Sequence, residues 1–204
     1  MILDLSDMHD LAATCAPTVA AETLLSVAMV ESGFNPLAIG VNGQPAVRVR
    51  AINRTDAAAK AQALIEAGRS VDLGLAQINS RNLEWLGLSV DAAFDPCRNL
   101  AASARVLQDG YARAAPKAVG EQPALLTALS YYNTGHPERG FRNGYVAKVT
   151  KAASSLVPAI KPERERAASE PPVTQPPKPR WDVFGEAAEP AGFFIRLSAR
   201  GGQE

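Results

Sequence analysis

The chain is poor in the residues that hold metals or bind polyanions. Its 204 residues include two cysteines and two histidines, and 21 Lys and Arg are matched by 21 Asp and Glu. The spacing of Cys15 and Cys97 does not fit the common zinc patterns, and no other motif indicates a metal or a cofactor. A formal net charge of zero leaves no basic excess to neutralise phosphates, which disfavours nucleic acid as the main partner.

Long apolar runs are also missing. No stretch of about 18 apolar residues free of charge is present, so we expect no membrane-spanning helix. Residues 1–10 are acidic and lack the basic region of a secretion signal. The sequence as it stands therefore predicts no export signal.

The scarcity of cysteine leaves two interpretations open. Cys15 and Cys97 could be two buried free thiols, because free cysteine is among the most buried residue types. They could instead form one disulfide that ties an N-terminal helix to the start of a central helix. Such a bond would close a loop of about 80 residues, stabilise the fold by about 4 kcal/mol and imply an oxidising compartment.

What is present predicts one helical domain followed by a tail. With 47% hydrophobic residues, the chain can bury one substantial core. Turn and capping signals divide residues 1–157 into short helices joined by loops, and Asp95-Pro96 is the strongest helix start. Eight of the 15 prolines fall after residue 157. Residues 158–204 are therefore predicted to form a Pro-rich disordered tail.

Glu31 is a carboxylate at a position where helix packing predicts an apolar residue. Residues 20–33 are typical of a mostly buried helix that ends at Gly33. Glu31 shares one face of this helix with the apolar Leu24 and Val27. A carboxyl group there is poorly solvated, which raises its pKa and keeps a proton available near neutral pH, as a general acid requires. The simpler interpretation is a helix-end glutamate that turns out to water.

Three short motifs, far apart in sequence, accompany this glutamate. They are Val30-Glu-Ser-Gly-Phe-Asn-Pro36, Asp72-Leu-Gly-Leu-Ala-Gln-Ile-Asn-Ser80 and Ala128-Leu-Ser-Tyr-Tyr-Asn-Thr-Gly135, the last followed by Gly144-Tyr-Val146. Each motif alone is common. In this order they resemble the soluble lytic transglycosylases of the goose-lysozyme-like clan, over about residues 17–150. The compact size, the two cysteines and the Pro-rich tail are most similar to the transglycosylases that accompany type IV secretion systems.

The resemblance implies a mainly α fold, a lysozyme-like α+β domain with a substrate groove. It implies a peptidoglycan lytic transglycosylase that cleaves the β-1,4 bond between MurNAc and GlcNAc without adding water and leaves a 1,6-anhydro-MurNAc product. Glu31 would be the single acid and base: it protonates the leaving oxygen, then takes the proton of the C6 hydroxyl. The N-acetyl group of the substrate would stabilise the anomeric cation, so that no protein nucleophile is needed.

Six further motif residues are candidates for binding substrate, since their hydroxyls and amides suit sugar hydroxyls and acetamides. They are Ser32, Gln77, Asn79, Tyr132, Asn133 and Tyr145. By the resemblance, the Tyr132 hydroxyl orients the acid or stabilises developing charge. Strand alternation would place Gln77 and Asn79 on one face, with Gln77 the better substrate contact. Structural roles stay open for the others: a backbone bond for Ser32, loop bracing for Asn133 and packing for Tyr145.

Asp72 is the candidate second carboxylate. Its motif also resembles the stretch of animal-type lysozymes that carries their second catalytic carboxylate. A hydrolytic muramidase that uses Glu31 and Asp72 is therefore an alternative function. The simpler interpretation is a carboxylate that braces a loop. A third alternative is a non-catalytic peptidoglycan-binding assembly factor, because a fold does not guarantee activity.

The expected partners are peptidoglycan glycan strands and, through the C-terminal tail, components of a type IV secretion system. Two apolar clusters of the tail, residues 181–184 and 192–197, are either docking motifs or incidental. The substrate places the predicted enzyme in the periplasm, where it would locally open the wall for a secretion or conjugation channel.

Overall fold

The computed structural model describes residues 2–43 and 47–160, with side chains through residue 156. This part of the chain is mainly helical, as predicted, and carries a small sheet. The helices are α1 (Leu5–Cys15), α2 (Ala21–Ser32), α3 (Arg54–Glu66), α4 (Leu83–Leu86), α5 (Pro96–Ala114), α6 (Glu121–Thr134), α7 (Arg139–Arg142) and α8 (Tyr145–Ile160). The strands are β1 (Ile39–Val41), β2 (Val47–Val49), β3 (Val71–Leu73) and β4 (Ile78–Asn79).

Two predicted helix ends are confirmed. Gly33 ends α2 in the left-handed conformation, with φ of 60°, which costs a glycine little. Asp95 caps α5 by accepting a 3.0 Å hydrogen bond from the backbone N–H of Arg98, and Pro96 occupies the first turn. Both ends matter for the site, because α2 ends beside Glu31 and α5 forms part of the groove described below.

The core forms around α2, whose central residues Thr23 to Ala28 are all buried. α8, α1 and α5 pack against this helix, and α6 packs along α5. Cys15, the last residue of α1, is bonded to Cys97 in the first turn of α5, with their Cα atoms 5.3 Å apart. Of the two interpretations of these cysteines, the structure therefore has the disulfide. Its loop, with a sequence separation of 82, encloses α2, α3 and the whole sheet.

The antiparallel sheet has the order β2-β1-β3-β4. The prediction that alternation runs through this motif to Asn79 is wrong, because the chain leaves the sheet after Leu73. Gly74 has φ of 72° and Gln77 has φ of 49°, so a tight turn separates β3 from β4. The sheet resumes with Asn79 paired opposite Asp72.

The last helix continues past the domain boundary predicted at residue 157. α8 runs through Ile160, where the described part of the chain ends. The prediction of a disordered tail therefore falls almost entirely outside the described residues. Within residues 2–43 and 47–160, no helix combines the length and the apolar character that crossing a membrane requires.

Candidate active site

An open groove of about 550 Å³ lies between the sheet and helices α5 and α6. The three sequence motifs meet along it. Six of the predicted site residues line the groove: Glu31, Asp72, Gln77, Asn79, Tyr132 and Asn133. Ser32 and Tyr145 do not line it, although the hydroxyl of Tyr145 is hydrogen-bonded to Glu31.

Glu31 lies in the last turn of α2, partly exposed toward the groove. The pKa of its carboxyl group is raised from 4.5 to about 7, mainly by burial and in part by the charge of Asp72. The negative end of the α2 dipole acts in the same direction, since Glu31 is one residue from the helix end. A hydrogen bond from Tyr145 and the positive charge of Arg48 oppose these effects. The balance leaves a carboxyl group that is half-protonated near neutral pH.

Tyr145, at the start of α8, is the residue that holds this carboxyl group. Its hydroxyl donates a 2.6 Å hydrogen bond to Oε1 of Glu31, and its ring is buried. Burial and the nearby charge of Glu31 raise the pKa of the Tyr145 hydroxyl well above its usual value, so the phenol keeps its proton. Tyr145 can therefore donate to Glu31 whether or not the carboxyl group is ionised.

Tyr132 lines the same groove, where burial and the nearby charge of Glu31 raise the pKa of its hydroxyl well above its usual value. Its hydroxyl donates to the backbone carbonyl of Ala76 at 2.7 Å and lies 3.1 Å from Oγ of Ser103. These contacts connect α6 and α5 to the turn between β3 and β4. The hydroxyl of Tyr132 thus fixes the turn that carries Gln77, and the hydrogen bond to Glu31 comes from Tyr145.

Asp72 is held by two amides. Oδ1 accepts a 2.6 Å hydrogen bond from Nδ2 of Asn79, and Oδ2 accepts a 2.8 Å bond from Nδ2 of Asn42. Both bonds favour the ionised form, but burial dominates and raises the pKa of the Asp72 carboxyl. Asn79 also bonds Ser70 and the backbone of Arg81, so its side chain is engaged within the protein.

Gln77 is fixed by its amide nitrogen, which donates to the carbonyls of Ala38 at 3.1 Å and Gly74 at 2.9 Å. A Cβ atom on Gly40 would lie 2.8 Å from Oε1 of Gln77. Glycine at that position of β1 therefore leaves space for the amide. Since Nε2 is occupied by the protein, Oε1 is the atom of Gln77 best placed to accept a bond from a sugar.

Ser32 and Asn133 are engaged by their own surroundings. The Ser32 hydroxyl donates to the carbonyl of Ala28 at 3.2 Å and accepts from the backbone N–H of Asn35. The side-chain oxygen of Asn133 accepts a 2.8 Å bond from Asn143. Ser32 thus stabilises the exit from α2, and Asn133 joins the end of α6 to the residues that precede α8.

Asn99, a fully buried residue of α5, is a part of the site that sequence analysis missed. Its side chain accepts from the N–H of Ala76 at 2.8 Å and donates to the carbonyls of Leu73 and Ala93 at 2.9 and 2.7 Å. Together with Tyr132, it holds both backbone groups of Ala76. A signal was available, because Asn99 and Ser103 are polar residues four apart on a face of α5 that otherwise carries apolar residues.

This helical fold, with a glutamate at the end of a buried helix beside a groove, is that of the lysozyme-like transglycosylases, and the chain belongs to the family described as the Transglycosylase SLT domain. The family model matches residues 10–154. The resemblance proposed from the motifs is thereby confirmed.

Proteins named virB1 are similar to the chain over most of its length. The chain is 41% identical over 187 residues to Protein virB1 of Agrobacterium fabrum, which covers 90% of this chain and 72% of that protein. It is 41% identical over 171 residues to Type IV secretion system protein virB1 of Brucella suis, covering 78% and 71%. No solved structure matches the chain significantly. A match over 90% of the chain extends beyond residue 157, so the similarity includes part of the Pro-rich segment.

Proposed function

We propose that this protein cleaves the β-1,4 bond between MurNAc and GlcNAc of peptidoglycan without water, with Glu31 as its single acid and base. The observation that carries the proposal is a carboxyl group with a pKa of about 7, bonded to Tyr145, in the groove of a transglycosylase-family domain. An acid of this pKa keeps its proton at neutral pH in a large part of the molecules and also gives it up readily.

The reaction has two proton transfers. Glu31 first protonates the glycosidic oxygen as that bond breaks, and the N-acetyl group of the substrate stabilises the anomeric centre. The carboxylate that forms is stabilised by the hydrogen bond from Tyr145. Glu31 then takes the proton of the C6 hydroxyl while that oxygen bonds to C1. The products are a 1,6-anhydro-MurNAc end and a free GlcNAc end, and the enzyme regains its proton.

Groups around the acid fit a polar glycan. Gln77 presents Oε1 from a turn that Asn99 and Tyr132 hold in place. The amide is therefore already positioned in the groove and loses little conformational entropy when a substrate binds. We further propose that the enzyme acts in the periplasm and opens the wall for a type IV secretion or conjugation channel. The similarity to virB1 proteins over most of the chain supports that role.

Hydrolysis by Glu31 and Asp72 remains the second candidate, because Asp72 lines the same groove. Its two oxygens each accept an amide hydrogen bond, which suits a carboxylate that braces the loop between the strands. This arrangement favours the transglycosylase over the muramidase. The third alternative, a binding protein without activity, gives no reason for an acid with so high a pKa.

The test is mass spectrometry of fragments released from purified peptidoglycan by the parent and by Glu31→Gln. The matched control is Glu66→Gln, at an exposed residue of α3. We expect 1,6-anhydro-MurNAc ends from the parent and from Glu66→Gln, and none from Glu31→Gln. Reducing ends, heavier by one water, would contradict the proposal in favour of the muramidase. Cleavage that survives in Glu31→Gln would rule out Glu31 as the acid.

A further inference from the structure

Trp85 is an aromatic side chain that the mechanism does not use. It lies on the short helix α4, lines the groove and is 46% exposed. Burying a ring of this size would stabilise the fold, whereas Trp85 keeps nearly half of its surface exposed within the groove. Amides, carboxylates and guanidinium groups share the lining with it, such as those of Asn82, Asp109 and Arg113.

The ring of Trp85 is held in place by an arginine. The Arg105 guanidinium carbon lies 5.5 Å from the ring centroid. The same group donates to the backbone carbonyls of Leu86 at 2.7 Å and of Trp85 itself at 3.3 Å. One face of the indole is thereby covered, and the backbone that carries it is bonded to α5. The exposed aromatic group is therefore a positioned surface and not a freely rotating side chain.

The same arrangement recurs on the helical side of the groove. Arg113 lies over the ring of Tyr131, with its guanidinium carbon 4.0 Å from the centroid, and both residues line the groove. Arg105 and Arg113 belong to one helix and are eight residues apart, or about 12 Å along its axis. Two braced rings thus accompany the polar groups of one open groove.

We propose that Trp85 is a stacking platform for a pyranose ring of the glycan strand, at a subsite away from the scissile bond. A sugar presents C–H groups on its faces and hydroxyls at its edge, so it needs an apolar ring below it and amide or charged groups around it. Trp85 and its polar surroundings offer that combination. The inference rests on the proposed function, because it assigns the same groove to a β-1,4-linked glycan.

The test measures binding without turnover. In the Glu31→Gln protein with Trp181→Phe, Trp85 is the one tryptophan left, and its fluorescence should shift to shorter wavelength when a β-1,4-linked hexamer of N-acetylglucosamine is added. Calorimetry should show that Trp85→Ala binds the hexamer about tenfold more weakly than the parent, since stacking on an aromatic ring contributes about a factor of ten to the affinity. Trp85→Phe should lose less, because a ring remains.

Phe141 provides the matched control. It is 45% exposed, on α7, and is not part of the groove lining. Phe141→Ala should leave binding unchanged. In the active protein, Trp85→Ala should raise KM with kcat within about twofold, because the platform binds ground state and transition state alike.

Equal affinities of Trp85→Ala, Phe141→Ala and the parent would overturn the platform while leaving the proposed cleavage intact. Absence of hexamer binding by the parent would overturn the platform as well. The proposed cleavage would then still be decided by its own products from peptidoglycan, so the two failures are distinguishable.

Discussion

Asn79 and Asp72 face each other across β3 and β4, and Nδ2 of Asn79 donates a 2.6 Å hydrogen bond to Oδ1 of Asp72. With Asn42 on the other carboxylate oxygen, Asp72 connects β3 to the segments on either side of it. This placement gives the aspartate a clear structural task. It also places a negative charge close enough to Glu31 to raise the pKa of that acid.

Asp72→Asn therefore separates the two candidate reactions. We expect kcat to fall less than about tenfold. The asparagine side chain can still accept one of the two hydrogen bonds, and in the transglycosylase reaction the residue at this position does not touch the reacting atoms. The apparent pKa of Glu31 should fall, since a neighbouring negative charge has been removed. The measurement is the pH profile of glycan cleavage. A loss of about 10³-fold or more in kcat would instead indicate a catalytic carboxylate.

Tyr145→Phe should raise the pKa of Glu31 above the parent value of about 7. The hydrogen bond from Tyr145 stabilises the carboxylate, so its removal favours the protonated form. Activity that depends on protonated Glu31 should then persist to higher pH, while kcat at neutral pH falls because the carboxylate intermediate has lost its donor. Tyr111→Phe, on α5, is the control. If the activity of Tyr145→Phe had the same pH dependence as that of the parent, the hydrogen bond would not control the pKa of Glu31.

Glu31 should make stability depend on pH between about 4.5 and 7. Its pKa is raised on folding, so the folded protein holds the proton over this range while the unfolded chain releases it, and stability falls as pH rises. Glu31→Gln carries no such group. The unfolding free energy of Glu31→Gln relative to the parent should therefore rise across this range, by about 3 kcal/mol. Denaturant melts at pH 4, 6 and 8 measure it, and Glu66→Gln should show no such trend.

Asn99→Ala should destabilise the fold by about 2–4 kcal/mol, because it leaves the N–H of Ala76 and the carbonyls of Leu73 and Ala93 buried without this partner. Chemical denaturation measures the loss. Asn99→Asp, which keeps an acceptor for Ala76, should bind the glycan more weakly than the parent if it folds, since the turn that holds Gln77 is loosened. Normal stability of Asn99→Ala would contradict the role of this residue as a clamp.

Residue patterns and capping residues predicted the helices whose ends depend on neighbouring residues in the sequence. The helix that carries Glu31 was readable from its apolar face and from Gly33, and the start of α5 from Asp95-Pro96. The turn at Gly74 and Gln77 was missed because alternating residue types continue through it, although the backbone does not. Periodicity cannot detect a residue other than glycine that is held at positive φ by hydrogen bonds from elsewhere in the fold.

The sequence motifs predicted which residues belong to the candidate site better than they predicted which of those residues contact each other. The motifs named Glu31 and Tyr145, but the bond between them joins α2 to α8 and depends on tertiary packing. Asn99 was overlooked for a related reason. A polar residue within an amphipathic helix is usually solvated, so its place beside Ser103 on an apolar face is a weak signal, and its burial beneath the β3–β4 turn identifies its partners.

The bond between Tyr145 and Glu31 spans 114 positions of the sequence. During synthesis, the glutamate leaves the ribosome long before its phenol partner exists, and the acid reaches its finished state only when the last described helix docks on α2. The environment of Glu31 therefore exists only after α8 has been synthesised and has packed against α2. A nascent or partly unfolded copy carries the glutamate without the environment that raises its pKa.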